Sequence, residues 1–348
     1  SGIEAAIASG RIDAKGVMAV LGKTEGNGLV NDFSRGLATA SLAALFRRHL
    51  PADAAERICL VMSGGTEGGM APHWTVFESS AGQGDGASAL AIGRAHTFAL
   101  PFEELGRVGQ VAQVAAGVRH AMMDAGILDP SDVHFVQIKC PLLTAQRIAE
   151  ADGRGVTVAT RDTLKSMGLS RAASALGAAV ALGEIEAARI ADADIGGNWQ
   201  LWSGRASASA GIELLNHDIV VLGMSAAWSG PLAVDHAVMC DAIDIEPVRA
   251  ALARLGLATP GQLSEADRQR LIAVLGKAEA SHDGCLRGNR HTMLDDSDIS
   301  STRHARAFVA GALAGLIGHA EIYVSGGAEH QGPDGGGPVA LIVDRSRA

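Results

Sequence analysis

The sequence predicts an α/β (α+β) protein built from three structurally similar repeat units. Three observations carry that expectation. Short apolar runs alternate with Ala-rich helical stretches along the whole chain. Three short motifs each occur three times, in constant order. The composition is that of a chain packed by small aliphatic residues, with 44 glycines, 47% apolar residues and only 3% aromatics. At 348 residues, the chain is long enough for two or three domains and for a large buried core.

Strands are expected at 16–21, 58–62, 134–138, 218–222, 270–275 and 322–324, each short and bounded by glycine or polar residues. Helices are expected at 37–49, 107–124, 171–190, 246–255 and 302–317. The alternation implies helices covering sheets. The first recurring motif is a lysine closing an apolar strand: Lys23, Lys139 and Lys277. The second is a hydroxyl–arginine pair at the head of an Ala-rich helix: Ser34-Arg35, Ser170-Arg171 and Thr302-Arg303. Its hydroxyl is read as the helix N-cap. The third is Ser-(Gly/Ala)-Gly-x-Glu: Ser63-Gly64-Gly65-Thr66-Glu67, Ser209-Ala210-Gly211-Ile212-Glu213 and Ser325-Gly326-Gly327-Ala328-Glu329. Lysine and serine are separated by 40, 70 and 48 residues, so the scaffold recurs while its loops vary. The expected repeat units are 1–83, 89–231 and 237–348, with the Gly/Ser-rich stretch 79–88 as a linker. Units two and three open with a strand (89–94 and 237–244), whereas unit one begins at a helix, 2–9. The expectation is therefore that the natural protein carries an N-terminal strand that this sequence lacks.

Charge and cysteines narrow the function. Lys+Arg number 29 against 38 Asp+Glu, a net charge of -9 with no basic stripe, so a phosphate backbone finds no electrostatic footprint. Scarce aromatics exclude stacking platforms for single strands. Cys59, Cys140, Cys240 and Cys285 form no C-x-x-C pair, which argues against a zinc ribbon and for a reduced, cytoplasmic setting. No apolar run approaches the roughly 18–20 residues of a membrane span, and the first fifteen residues show no signal pattern. There is neither a G-x-G-x-x-G between strand and helix nor a G-x-x-x-x-G-K-[ST], which disfavours a nucleotide enzyme.

Each unit thus offers a lysine, an arginine and a serine. A hydroxyl beside small residues, with exposed backbone N–H groups, can bind a carbonyl or a developing oxyanion. Arginine supplies a fixed donor fork. Lysine can act as base on a serine if its pKa falls from about 10.4 toward neutrality, which burial among other cations achieves. If the units pack around a pseudo-threefold axis, three lysines and three arginines converge on an oxygen-rimmed small molecule. Taken singly, a strand-end lysine is usually solvated and an S-G-G is a turn; the threefold recurrence is what favours a site. Other tempting residues read as structural. Cys140 faces away from Lys139's side of the strand, into the core. His291, His304 and His330 sit in polar strings as supporting or surface residues, and Asp295-Asp296-Ser297-Asp298 reads as a capped loop rather than a calcium loop.

Longer strings surround these residues: Gly22-Lys23-Thr24-Glu25-Gly26-Asn27-Gly28, Val61-Met62-Ser63-Gly64-Gly65-Thr66-Glu67-Gly68, Phe135-Val136-Gln137-Ile138-Lys139-Cys140-Pro141-Leu142-Leu143-Thr144, Ala206-Ser207-Ala208-Ser209-Ala210-Gly211-Ile212-Glu213, Lys277-Ala278-Glu279-Ala280-Ser281, and Ser325-Gly326-Gly327-Ala328-Glu329-His330-Gln331-Gly332-Pro333. Through them essentially the whole chain resembles the ring-opening amidohydrolases, which act on cyanuric and barbituric acids.

The resemblance implies three units around a pseudo-threefold axis, forming a β-barrel-like core with helices outside and the active site on the axis. It implies hydrolysis of cyanuric acid to carboxybiuret, then biuret and CO2, in s-triazine degradation. It makes Lys139 the base and Ser209 the nucleophile of a Ser–Lys dyad that passes through an acyl-enzyme. Ser63-Gly64, Ala210 and Ser325-Gly326 would hold carbonyls. Arg35, Arg171 and Arg303 would bind the ring edge, and Lys23 and Lys277 would support. It also implies a structural Mg2+ or Ca2+ held by Glu279 and by oxygens around Ala328, Gln331, Gly332, Pro333 and Gly336, and a homotetramer; the alternative is that Glu279 pairs with a nearby cation. No organic cofactor is expected. The alternatives are barbituric acid opened to ureidomalonate, or a binding protein without turnover. Neither spacing nor composition singles out the middle Lys–Ser pair.

Overall fold

A computed structural model describes residues 2–80, 82 and 87–347. Half of the expected 79–88 linker therefore lies outside the described residues. Three main sheets share one plan. In the first, β1 (Val17–Thr24) runs parallel to β2 (Cys59–Gly64) and antiparallel to β3 (His73–Glu78), in the order β2-β1-β3. The second comprises β4 (Ala89–His96), β5 (Val133–Pro141), β6 (Ala206–Gly211) and β7 (Asp218–Ser225), in the order β4-β7-β5-β6. The third comprises β8 (Leu232–Met239), β9 (Leu271–Ala278), β12 (Tyr323–Gly326) and β13 (Gly337–Asp344), in the order β12-β9-β13-β8. A small hairpin, β10 (Cys285–Leu286) and β11 (Asn289–Arg290), lies between β9 and β12. In every main sheet the lysine strand pairs in parallel with the serine strand, which sits at the sheet edge. Each parallel pair requires a crossover, and the crossovers carry the helices.

The helices are α1 (Gly2–Ala8), α2 (Phe33–His49), α3 (Ala52–Glu56), α4 (Val108–Asp124), α5 (Ala145–Gly153), α6 (Thr163–Ala181), α7 (Glu246–Arg254), α8 (Glu265–Arg270) and α9 (Ser301–Ile317). Strand alternation gives each sheet two buried faces. One face of all three contributes to a single shared core that includes Leu21, Val61, Phe135, Val220, Leu275, Tyr323 and Ala340. The opposite faces pack on helices of their own unit: α2 places Leu42, Leu45 and Phe46 against Val20, Leu60 and Met62, while α9 places Val309 and Leu313 beside Val324 and Val339.

Several expectations need correction. The ladders end at each sheet's edge strands, so the core is three separate sheets packed face inward, with no closed barrel among the described residues. The strand expected at 237–244 lies at Leu232–Met239. Asp241 and Asp244 take the N–H groups of Ile243 and Cys240, bending the chain just beyond Met239. The helix expected at 171–190 is Thr163–Ala181, begun by the Asp162 cap on the Lys165 N–H. Ser170-Arg171 is consequently mid-helix, not at its head, and Ser170 Oγ receives a hydrogen bond from Gln110 at 2.9 Å. Ser34 is likewise not the cap of α2; Asp32 is. Among the described residues, no helix is long and apolar enough to cross a membrane.

Phe46 is fully buried between α2 and the first sheet. Phe46→Ala is expected to cost about 3–5 kcal/mol, as for other large core truncations, read as a lower urea midpoint.

Candidate active site

Register brings the motif residues together. In each parallel pair the lysine lies directly opposite the serine: Lys23 with Ser63, Lys139 with Ser209, Lys277 with Ser325. All three ammonium groups are buried. Each donates to the carbonyl of the residue before a serine in a different sheet. Lys23 donates to Val324 at 2.8 Å, Lys139 to Met62 at 2.7 Å, and Lys277 to Ala208 at 2.8 Å. The three bonds close a ring. They also satisfy carbonyls of the edge strands β2, β6 and β12, which have no further strand beside them.

The serines surround a small recess, lined also by Gly28, Gly64, Met167, Ala210, Gly326 and the guanidinium-bearing residues Arg35, Arg171 and Arg306. A wider hollow adjoins it, sharing Gly28, Met167 and Arg171 and reaching Lys165, Trp199 and His282. Lys23 donates to Ser63 Oγ at 3.2 Å and Lys277 to Ser325 Oγ at 3.3 Å. The third pair differs. Lys139 Nζ lies 2.8 Å from Glu213 Oε1, and the buried Ser209 Oγ has no hydrogen-bond partner.

The third arginine of the recess is Arg306, not the expected Arg303. Arg306 is buried and clamps Glu67 at 2.6 and 2.8 Å. Arg303 stands one helical turn earlier, partly exposed, reaching Glu67 only at 3.4 Å. The hydroxyl–arginine motif misled here because Ala305 precedes Arg306 while Thr302 precedes Arg303; the Ala-rich run that begins right after Arg306 was the better signal. Sequence reasoning also passed over the three glutamates closing the serine motifs. Glu67 grips Arg306, and Glu329 grips Arg171 Nε at 2.7 Å, each across units. Arg35 receives no such clamp: it donates to the carbonyls of Leu29 (2.6 Å) and Ala210 (3.2 Å), and its Nε has no partner.

Glycines make room for these charges. Gly65 and Gly327 have φ of +100° and +80°, and a Cβ there would sit 2.3 Å from Arg306 Nη2 and 2.4 Å from Arg171 Cζ. Burial pushes all three lysines down. Lys23 falls well below its ordinary value, with the Arg306 charge adding to burial. Lys277 falls to about 7, through burial and then Arg171. Lys139 is also lowered by burial, but the Glu213 carboxylate opposes the shift.

Glu279, just past β9, faces the loop that follows β12. Glu279 is half-buried, and among the described residues no side-chain cation lies within ion-pair distance of it, although the Arg171 charge acts on it from farther off. Burial first, and then the neighbouring Glu329, raise its pKa, with the Arg171 charge opposing them. Its oxygens accept from the N–H groups of Ala280 (3.0 Å) and Ala328 (3.1 Å), fixing it against the loop that holds Gln331, Gly332, Pro333 and Gly336. A carboxylate beside this loop is a hard-oxygen donor of the kind that suits Mg2+ or Ca2+. Gln331 pins the same loop to β6, its Oε1 accepting from Ala208 N–H at 2.7 Å.

The residues set aside behave structurally. Cys140 is buried in the core of the second sheet, and burial raises its thiol pKa. His330 is buried, accepting from Gly196 N–H at 2.8 Å, while His291 contacts Ser281 and His304 contacts Asp296, both at 3.0 Å. Asp296 caps its loop through the N–H groups of Asp298 and Ile299. His134, Asp235 and His236 gather at the far end of β5 from Lys139, but Asp235 is committed to Arg254 at 2.6 Å.

Comparison with known proteins agrees with this layout. The family model of amidohydrolase ring-opening proteins matches residues 1–344. A cyanuric acid amidohydrolase from Azorhizobium caulinodans is 65% identical over 99% of this chain and 95% of its own length. Another from Bradyrhizobium sp. (strain ORS 375) is 62% identical over 99% and 94%. The crystal structure of the A. caulinodans enzyme superposes with a TM-score of 0.94 at 65% identity, over 99% of this chain and 95% of that one. A second cyanuric acid hydrolase structure, described as an innovation by structural concatenation, gives 0.92 at 48% identity, over 99% and 94%.

Gly65→Ala should both strain the backbone and strike Arg306, costing at least about 1–3 kcal/mol. Gly69→Ala, with nothing within 4 Å of the new Cβ, should leave thermal stability unchanged. Differential scanning calorimetry of the two variants checks this.

Proposed function

This chain belongs to the ring-opening amidohydrolases, and on that premise we propose that it hydrolyses a ring C–N bond of cyanuric acid, giving carboxybiuret, which loses CO2 to give biuret. It is a hydrolase of cyclic amide C–N bonds. The observation that carries the substrate assignment is the convergence on one small recess of three serines, one from each main sheet, and three arginines, from α2, α6 and α9, with a buried lysine opposite each serine. A ring with three equivalent carbonyls and three ring N–H groups presents the same chemistry three times. Three units set around a pseudo-threefold axis would meet it with the same donors three times.

In the proposed mechanism Lys139, neutral, takes the proton of Ser209 Oγ as that oxygen attacks a ring carbonyl. The tetrahedral species collapses with cleavage of the ring C–N bond, and the proton passes from Lys139 to the departing nitrogen. Water then releases the acyl-enzyme. The Ser209 hydroxyl, alone of the three in having no partner, supports its role as nucleophile. Ser63-Gly64 and Ser325-Gly326 would hold the other two carbonyls, with Lys23 and Lys277 as their supports. Arg35, Arg171 and Arg306 would line the ring edge; Arg306 replaces Arg303 in this role because Arg306 lines the recess. A divalent cation on Glu279 and the oxygens of Ala328, Gln331, Gly332, Pro333 and Gly336 would supply charge neutralisation that fixes the loop. A cytoplasmic homotetramer is the assembly we infer from the same membership.

Purified protein should open cyanuric acid in preference to barbituric acid, with biuret identified by mass spectrometry; the reverse preference would make it a barbiturase, and no turnover a binding protein. Ser209→Ala and Lys139→Ala should each lose several orders of magnitude in kcat, since nucleophile and base act as a unit; a loss under about tenfold would refute the dyad. Chelation should lower the melting temperature of the protein, and an unchanged transition would refute a structural ion.

A further inference from the structure

We infer that Glu213 is the positioning residue that makes the middle Lys–Ser pair the reactive one. The inference rests on the reading of Lys139 and Ser209 as the reacting groups. Two of the three serine-motif glutamates clamp an arginine of another unit: Glu67 holds Arg306 and Glu329 holds Arg171. By the same rule Glu213 belongs on Arg35. It lies instead beside Lys139, at 2.8 Å, and Arg35 Nε is left without a partner.

The backbone gives the cause. After Ser63 and Ser325 the second glycine is left-handed, which carries the following glutamate away toward the neighbouring arginine. After Ser209 the chain stays extended through Gly211, the last residue of β6. A Cβ on Gly211 would lie 2.1 Å from Glu213 Oε2, so the carboxylate folds back over its own strand end and meets Lys139.

The consequence is a different set of partners for one lysine. Lys23 and Lys277 spend a donor on their serine. Lys139 has a carboxylate in that place, and Ser209 Oγ stays uncommitted for attack. When Lys139 accepts the serine proton, the ammonium formed lies directly against an anion, whereas for the other two lysines an arginine charge acts before the nearby carboxylates, Arg306 ahead of Glu67 at Lys23 and Arg171 ahead of Glu329 at Lys277. The groups facing this pair are few. Lys139 meets Glu213, Arg35 from α2 and its neighbour Cys140, and Glu213 also meets Arg147 from α5. The carboxylate holds Lys139 higher than burial alone would. Removing it lowers the lysine pKa, so the acid limb of activity, where the base must lose its proton, moves to lower pH.

The test is the pH dependence of kcat and kcat/KM on cyanuric acid for Glu213→Gln, Glu213→Asp and Glu67→Gln. Glu213→Gln should lose about tenfold or more in kcat with KM nearly constant, and its acid limb should shift down in pH. Glu213→Asp should recover part of both, and it supplies the readout if the glutamine variant does not fold. Glu67→Gln, which frees Arg306, should raise KM and leave the acid limb in place. An unmoved acid limb with kcat within about twofold of the parent in Glu213→Gln overturns the inference, as does an equal shift in Glu67→Gln. Ser209→Ala separates the two readings. Activity in that variant refutes the dyad itself, whereas an inactive Ser209→Ala with an unmoved Glu213→Gln profile refutes only the role of Glu213.

Discussion

The fold depends on one ring of hydrogen bonds, in which each of three buried lysines donates to the carbonyl before a serine in a different sheet. Burying an ammonium group is costly unless its donors are met. Here the acceptor is always backbone at a sheet edge, where a carbonyl would otherwise want a strand beside it. The same bond therefore answers two needs at once: it satisfies the lysine and it closes the sheet edge. Three sheets that share no ladder are joined by these side chains and by the apolar core between them, which includes Leu21 and Ala340.

Around that ring the charge is arranged in pairs that cross from unit to unit. Arg306 with Glu67 and Arg171 with Glu329 are partly or wholly buried, and breaking either would leave an unpaired charge in a dry site. Such pairs contribute little net stability compared with apolar packing, so their value lies in orientation. They hold flat donor forks at fixed angles about a small recess. Left-handed Gly65 and Gly327 are the local condition for it, since a side chain at either position would occupy the place of a guanidinium.

Much of this was legible in the chain. The lysine-ended strands and serine turns were readable because an apolar run closed by a charged residue, and a glycine pair after a hydroxyl, have few structural meanings. Their register followed once the strands were parallel. What failed has local causes. Arg306 was hidden because Ala305 stands where the other units have serine, and Thr302-Arg303 imitates the motif one turn early. The start of α6 was hidden because Gly168 breaks its helical pattern, although Asp162 caps it. The strand at Leu232–Met239 was displaced in the reading because its partner β13 had not been recognised, and pairing decides where a strand lies. The turn of Glu213 toward Lys139 depends on the backbone angle of Gly211, which tertiary packing sets and residue identity does not.

The bond from Lys23 to Val324 spans 301 residues of chain. A ribosome therefore releases almost the whole polypeptide before the first lysine can find its acceptor. Any chain cut short of β12 lacks one corner of the ring. Closure of the ring is thus a late, long-range event, because it joins residues near the two ends of the described sequence.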